Sequence, residues 1–249
     1  MLENQVALIT GAGTGIGRAI ALDFVASSAH VAVSDIDADR LAETVKLIFD
    51  NGADAVSVVG DVSKPEDCAA MVRETVGKYG KLTVAVNNAG IGGAIAPTGE
   101  YDLEEWNKVI AINLSGVFYG MRYQIPAMQQ AGRGAIVNMA SILGQVGFPG
   151  APAYVAAKHG VVGLTRAAAL DHAADKIRIN AVGPAFIRTQ MIQSVDTDPE
   201  AHKSLVARHP LGRLGTVEQV ANLVTFLCSE DASFITGSYY PVDGGYLSQ

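Results

Sequence analysis

Val6-Ala-Leu-Ile-Thr10-Gly-Ala-Gly-Thr-Gly-Ile-Gly17 decides the fold of this 249-residue chain. The first five residues form an apolar run of strand length, the pattern of a strand covered on both faces. Glycines follow at 11, 13, 15 and 17, and a helical apolar period opens directly behind them. A strand that turns through glycines into a helix brings main-chain N–H groups up to a diphosphate at the helix N-terminus. The spacing is G-x-G-x-G-x-G, which departs from strict G-x-G-x-x-G. No Lys-Ser/Thr follows, which excludes a Walker phosphate loop. Gly11, Gly13, Thr14, Gly15, Ile16 and Gly17 are the candidate phosphate contacts.

The same alternation continues along the chain. Short β-branched runs at 31–35, 55–59, 84–86, 135–139, 177–181 and 239–242 read as strands. Helical periods fill 15–27, 38–51, 64–79, 103–130, 153–174 and 217–229. Strand–helix alternation of this kind predicts an α/β fold: a Rossmann-like, doubly wound parallel sheet of about seven strands, helices on both faces, in a single domain over 1–249. The longest stretch without clear period follows Pro184, and residues 186–210 are the expected substrate lid.

Asp35 closes the second run, 20 residues after Gly15. A carboxylate there can accept both hydroxyls of an adenosine ribose and repels a 2′-phosphate. Ile36 stands where a basic residue would suit the phosphate, so NAD is expected over NADP. Asp37, directly before Ala38, is the better candidate for capping the next helix.

Composition excludes several classes. The chain is 49% hydrophobic with a net charge of -7 and no Lys/Arg run, which argues against nucleic acid or an anionic membrane as partner. No apolar run reaches membrane-span length, and the N-terminus lacks a signal-peptide pattern. Cys68 and Cys228 fit no metal spacing and are expected as reduced core thiols, which suggests a cytoplasmic setting. The His residues show no metal-ligand spacing either, so no metal is expected. Trp106 is expected to pack.

Tyr154-Val-Ala-Ala-Lys158 carries the chemistry. Tyr and Lys at i and i+4 share one helix face. An ammonium there is expected to lower the phenol's pKa, and Ser141, 13 residues upstream, can hold a substrate oxygen beside it. Taken alone this pair is a common coincidence; its place behind a glycine turn and Asp35 gives it weight.

With these motifs in order, the whole chain resembles the short-chain dehydrogenase/reductase family. The resemblance rests on 10–17, Asp61-Val62, Asn87-Asn88-Ala89-Gly90, Asn113, Ser141, Tyr154/Lys158, Gly183-Pro184 with Ile187 and Thr189, and Val242-Asp-Gly-Gly245. One departure is Pro184-Ala185, where the family usually has Pro-Gly. The resemblance implies hydride transfer between NAD(H) and a ketone or secondary alcohol. It implies Asn113, Ser141, Tyr154 and Lys158 as the catalytic set, with Asn113 anchoring a water that relays protons to Lys158. It places Asp61 and Val62 at the adenine, Asn88, Ala89 and Gly90 along the cofactor groove, and Pro184, Ile187 and Thr189 at the nicotinamide. A homotetramer or dimer is implied as well, and the Ala-rich set Ala153, Ala156, Ala157, Ala167 and Ala168 suits close helix packing, between subunits or equally inside one. The substrate pocket is expected to draw on Gly92, Ser141, Leu143, Gln145, Phe148, Ala185, Phe186 and Met191. That largely apolar set suits an aryl, alicyclic or steroid-like substrate. Two other readings are a 3-oxoacyl-carrier-protein reductase, disfavoured by Asp35, Asp171 and Asp175, and a non-catalytic NAD-sensing or scaffold protein, disfavoured by the intact catalytic set.

Overall fold

The computed structural model describes residues 1–189 and 199–249. Its centre is one seven-stranded parallel sheet in the order β3-β2-β1-β4-β5-β6-β7. The strands are β1 (Val6–Thr10), β2 (His30–Asp35), β3 (Ala55–Val59), β4 (Val84–Asn87), β5 (Gly134–Met139), β6 (Ile177–Pro184) and β7 (Tyr239–Val242). Every predicted strand is present, and β6 runs to Pro184, beyond the predicted end at 181.

Period-two alternation assigns the two faces. Ala7 and Ile9 of β1, Val84 and Val86 of β4, and Val137 of β5 enter one core with α1 (Gly15–Ala26), α2 (Ala38–Asp50) and α8 (Val217–Cys228). Leu8, Ala85 and Ile136 enter the other, beneath α3 (Pro65–Tyr79), α5 (Gly116–Ala131) and α6 (Pro152–His172). Burial on both faces explains why these strands read as nearly continuous apolar runs.

Several details position the site. Asp37 caps α2 through the N–H groups of Asp39 and Arg40, as predicted. The predicted helix over 103–130 is α4 (Leu103–Ile110) and α5 joined by a π-helical turn, Ala111–Ser115. Helix α7 (Pro199–Ala207) occupies part of the expected lid 186–210, while 190–198 lie outside the described residues. Both cysteines are buried, and burial pushes each thiol up to about 12.

One expectation needs correction. Trp106 is 37% exposed rather than packed in a core, because α4 sits at the rim beyond the main cores. Of the alanines of α6, Ala153, Ala157 and Ala168 are buried within the subunit, Ala156 is half-buried and Ala167 is exposed.

Candidate active site

Strand order reverses between β1 and β4, and a crevice opens there at the carboxyl ends of the strands. A cleft of about 400 Å³ occupies it. Its floor is the glycine turn. A Cβ on Gly17 would lie 2.1 Å from the Gly11 carbonyl oxygen, and one on Gly11 would lie 2.8 Å from Ala89 Cα. The turn is therefore as tight as main chain allows. Thr10 Oγ1 accepts from the N–H groups of Asn88 and Ala89, and Asn88 Nδ2 donates to the carbonyls of Thr10 and Gly11 at 2.9 and 3.1 Å. Asn88 thus reaches the site as a staple between the ends of β1 and β4.

Helix α1 begins here with no side-chain cap from Thr14 and no acidic residue in its first turn. Its first N–H groups are left for an anion, and the helix dipole favours one. Asp35 stands at the far end, its Oδ2 accepting from Gly13 N–H at 2.8 Å and its Oδ1 from Asp37 N–H at 3.0 Å. These two bonds leave further carboxylate lone pairs for ribose hydroxyls. Asp61, by contrast, turns its Oδ1 onto Ser63, main chain and hydroxyl. An uncapped helix start, glycines with no room for a side chain and a carboxylate at the second strand's end fit a dinucleotide. Arg40 also lines this end, held by Asp37 at 3.1 Å.

Ser141, Tyr154, Lys158, Pro184, Ala185, Ile187 and Thr189 line the opposite end. Tyr154 and Lys158 lie in the first two turns of α6, the phenol packing on Val109, Ala153 and Ala157. Lys158 Nζ donates to Met139 C=O at 2.8 Å and stands 5.5 Å from the Tyr154 ring centre. Burial lowers the Lys158 ammonium from its ordinary 10.5 to about 8. Burial raises the Tyr154 phenol above 10.0, and a hydrogen bond with Ser141 pulls it partly back. The expected lowering by Lys158 is thus not what the protein alone displays. Desolvation dominates, and Ser141 is the group that opposes the rise.

Asn113 lies in the π-helical turn, fully buried. Its Oδ1 accepts from Ile91 N–H and its Nδ2 donates to Ile91 C=O, both at 2.8 Å. The side chain is therefore a two-point clamp on the loop after β4. Asn113→Ala leaves both Ile91 groups unpaired and is expected to cost about 2 kcal/mol of stability, read by urea denaturation.

Of the expected pocket residues, Ser141 and Ala185 line the cleft. Gly92, Leu143, Gln145, Phe148 and Phe186 are not part of its wall among the described residues. Gly92 and Gln145 are exposed, Leu143 is buried on the turn after Ser141, and Met191 lies outside the described residues. Phe148 and Phe186 instead join an aromatic group. Their ring centres are 6.4 Å apart, and Phe186 lies 5.8 Å from His209 and 6.2 Å from Tyr246. Phe186 sits between the cleft residues Ala185 and Ile187, so this group flanks the reacting end. His209 and Tyr246 carried no signal in the sequence, since they come from separate segments, Tyr246 from a short 3-10 turn. Ile91, also expected at the pocket, lines the cleft; Ser34, Arg40, Gly60, Ile112, Met139 and Ala140 line it too and were missed. Most of them could have been found from their place at or just past a strand's carboxyl end.

Comparisons with known proteins agree with this geometry. The family model described as enoyl-(acyl carrier protein) reductase matches residues 11–247. The cyclohexanol dehydrogenase of Acinetobacter sp. (strain SE19) is 48% identical over 247 residues, 99% of this chain and 96% of that protein. The crystal structure of levodione reductase aligns with a TM-score of 0.96 at 36% identity, covering 100% of this chain and 99% of its own. Solved neighbours at 32%, 34% and 33% identity hold NAD+, NADH and NADP respectively.

Proposed function

The chain belongs to the short-chain dehydrogenase/reductase family, and from that premise we propose that it interconverts an apolar, alicyclic secondary alcohol and its ketone with NAD(H). The observation that carries the reading is the convergence of Ser141, Tyr154 and Lys158 at one end of the cleft and Asp35 at the other. The names of the relatives supply the substrate class by analogy. The partly apolar surroundings of Phe148, Phe186 and Tyr246 support it.

Bound nicotinamide supplies the hydride acceptor in oxidation and the hydride donor in reduction. The protein handles the proton and the oxygen. In alcohol oxidation Tyr154 Oη, as phenolate, takes the hydroxyl proton, and in reduction it returns one. Ser141 Oγ donates to the substrate oxygen, so charge developing there meets a donor already in place. Lys158 Nζ stands beside the phenol and is expected to hold the nicotinamide ribose. Asn113 clamps the Ile91 loop and is proposed to anchor a proton-relaying water. Asp61 and Val62 are assigned to the adenine, and Ile187 and Thr189 to the carboxamide. Residues 186–210 are assigned as the substrate lid of a single-domain enzyme.

Oxidation requires the ionised phenol and reduction the neutral one. Burial raises that phenol, so oxidation is expected to climb with pH into the alkaline range. Reduction is expected to hold at lower pH and fall as the phenol ionises. Initial rates in both directions, taken across pH with a cyclic ketone and its alcohol, check both limbs.

NAD is assigned over NADP because the Asp35 carboxylate repels a 2′-phosphate, and the neighbouring Arg40 is already paired with Asp37. With cyclohexanone-type ketones, NADH is expected to exceed NADPH in kcat/KM by about 100-fold. A preference for NADPH would overturn the assignment. A homotetramer, or a dimer, is also proposed: Phe118 on α5 and Leu170 on α6 stand 48% and 82% exposed on the same side of the sheet. Light scattering would decide between them, and a monomer would remove this part.

A further inference from the structure

We propose that Tyr239 is a positioning residue for Ser141, its phenol crossing strand β6 over Gly183 to hold the Ser141 main chain at the reacting end of the cleft. The inference rests on the reading of Ser141 as the residue that holds the substrate oxygen.

Strand β6 lies between β5 and β7. Tyr239 in β7 pairs with Ala181 in β6. Gly183 is two residues further on and so lies on the same face of the sheet as Ala181. Ser141 lies two residues past the end of β5, and between them Ala140 N–H still bonds Val182 C=O at 2.8 Å. Tyr239 Oη donates to Ser141 C=O at 2.9 Å. A side chain of one strand therefore passes over a second to reach the end of a third.

Gly183 makes the crossing possible. A Cβ there would lie 2.0 Å from Tyr239 Oη and 2.3 Å from its Cζ. Gly183 is not among the positive-φ glycines, so its backbone is one that other residues adopt. Space for the phenol is what this position needs. Burial, and next the Asp243 carboxylate, push the Tyr239 phenol above its ordinary 10.0. It is therefore a hydrogen-bond donor at neutral pH.

The bond acts on a residue with little other freedom. The Ser141 backbone is extended, at φ -172 and ψ 163, and its Oγ accepts from Leu143 N–H at 3.1 Å. Its carbonyl also accepts from Gly144 N–H at 2.9 Å. These last two bonds bind Ser141 only to the turn that follows it. Tyr239 holds the Ser141 main chain from outside that turn, as Tyr154 meets its side chain, and it fixes Ser141 to the sheet. Small displacements of an oxygen-holding group are costly to rate.

Tyr239→Phe keeps the ring over Gly183 and removes only the donor. It is expected to lower kcat about tenfold while NADH affinity, by fluorescence titration, stays within about twofold. The rise of alcohol oxidation with pH is expected to move to higher pH, because a displaced Ser141 no longer pulls the Tyr154 phenol down. Lys158 from α6 also faces that phenol, and Tyr101, from the loop before α4, packs on the same small apolar cluster; this substitution touches neither. In a Ser141→Ala background, Tyr239→Phe is expected to cost nothing further. Gly183→Ala, which displaces the phenol, is expected to reproduce the kcat loss and the pH shift.

A wild-type kcat with an unmoved pH profile in Tyr239→Phe would overturn the inference. So would an equal loss with and without Ser141. Full turnover in Ser141→Ala alone would overturn the underlying reading of that residue, whatever Tyr239→Phe does.

Discussion

Tyr154→Phe is expected to cut turnover in both directions by about 10³-fold or more, with NADH binding within about twofold of the wild type. The phenol is the group at the reacting end suited to exchange the proton. Lys158 has its Nζ on Met139 C=O, and Ser141 has its Oγ on Leu143 N–H. Removing one oxygen leaves the ring on Val109, Ala153 and Ala157, so the fold is expected to stay within about 1 kcal/mol of wild type. Single-turnover rates paired with urea melts check both halves. Retained turnover would remove Tyr154 from the chemistry and with it the assigned mechanism.

Gly17→Ala is expected to abolish measurable dinucleotide binding and to destabilise the chain by about 3 kcal/mol. The added methyl would sit 2.1 Å from the Gly11 carbonyl oxygen and 2.5 Å from Asn88 Nδ2. One of these neighbours is main chain, and the other already bonds two carbonyls of the turn. The first turn of α1 must move, and its free N–H groups with it. Gly163→Ala is the control: nothing lies within 4 Å of its added Cβ, it sits in α6, and it is expected to be neutral or stabilising by up to about 1 kcal/mol. Equal effects at the two glycines would show that the turn's tightness is unimportant.

The sheet was readable because its central strands are buried on both faces and so announce themselves as apolar runs between helical periods. Asp35, Tyr154 and Lys158 were readable because each sits at a fixed offset from a turn or within one helix. What escaped has no such offset. Residues 111–115 read Ala-Ile-Asn-Leu-Ser, which suits a regular helix as well as a wide turn. Phe148 and Phe186 were named for the pocket, but their grouping with His209 and Tyr246 joins separate segments of the chain. Tyr239 looks like any aromatic in a strand until the space over Gly183 is measured. Arg40 was passed over because only its position beside the Gly13 end of the cleft, and not its spacing, gives it meaning.

The wide turn at Ala111–Ser115 has a mechanical consequence. Each residue of an α-helix advances the chain by about 100°. One residue added to a regular helix would swing everything beyond it out of phase. A π-helical turn absorbs that surplus locally. Val109 before the turn and Val117, Met121 and Met128 after it all remain buried. The rod is thus dislocated at one level while both flanks keep their angular register. The Asn113 side chain grips Ile91 from within this turn, so the polar clamp sits where the helix widens and the hydrophobic packing continues on either side.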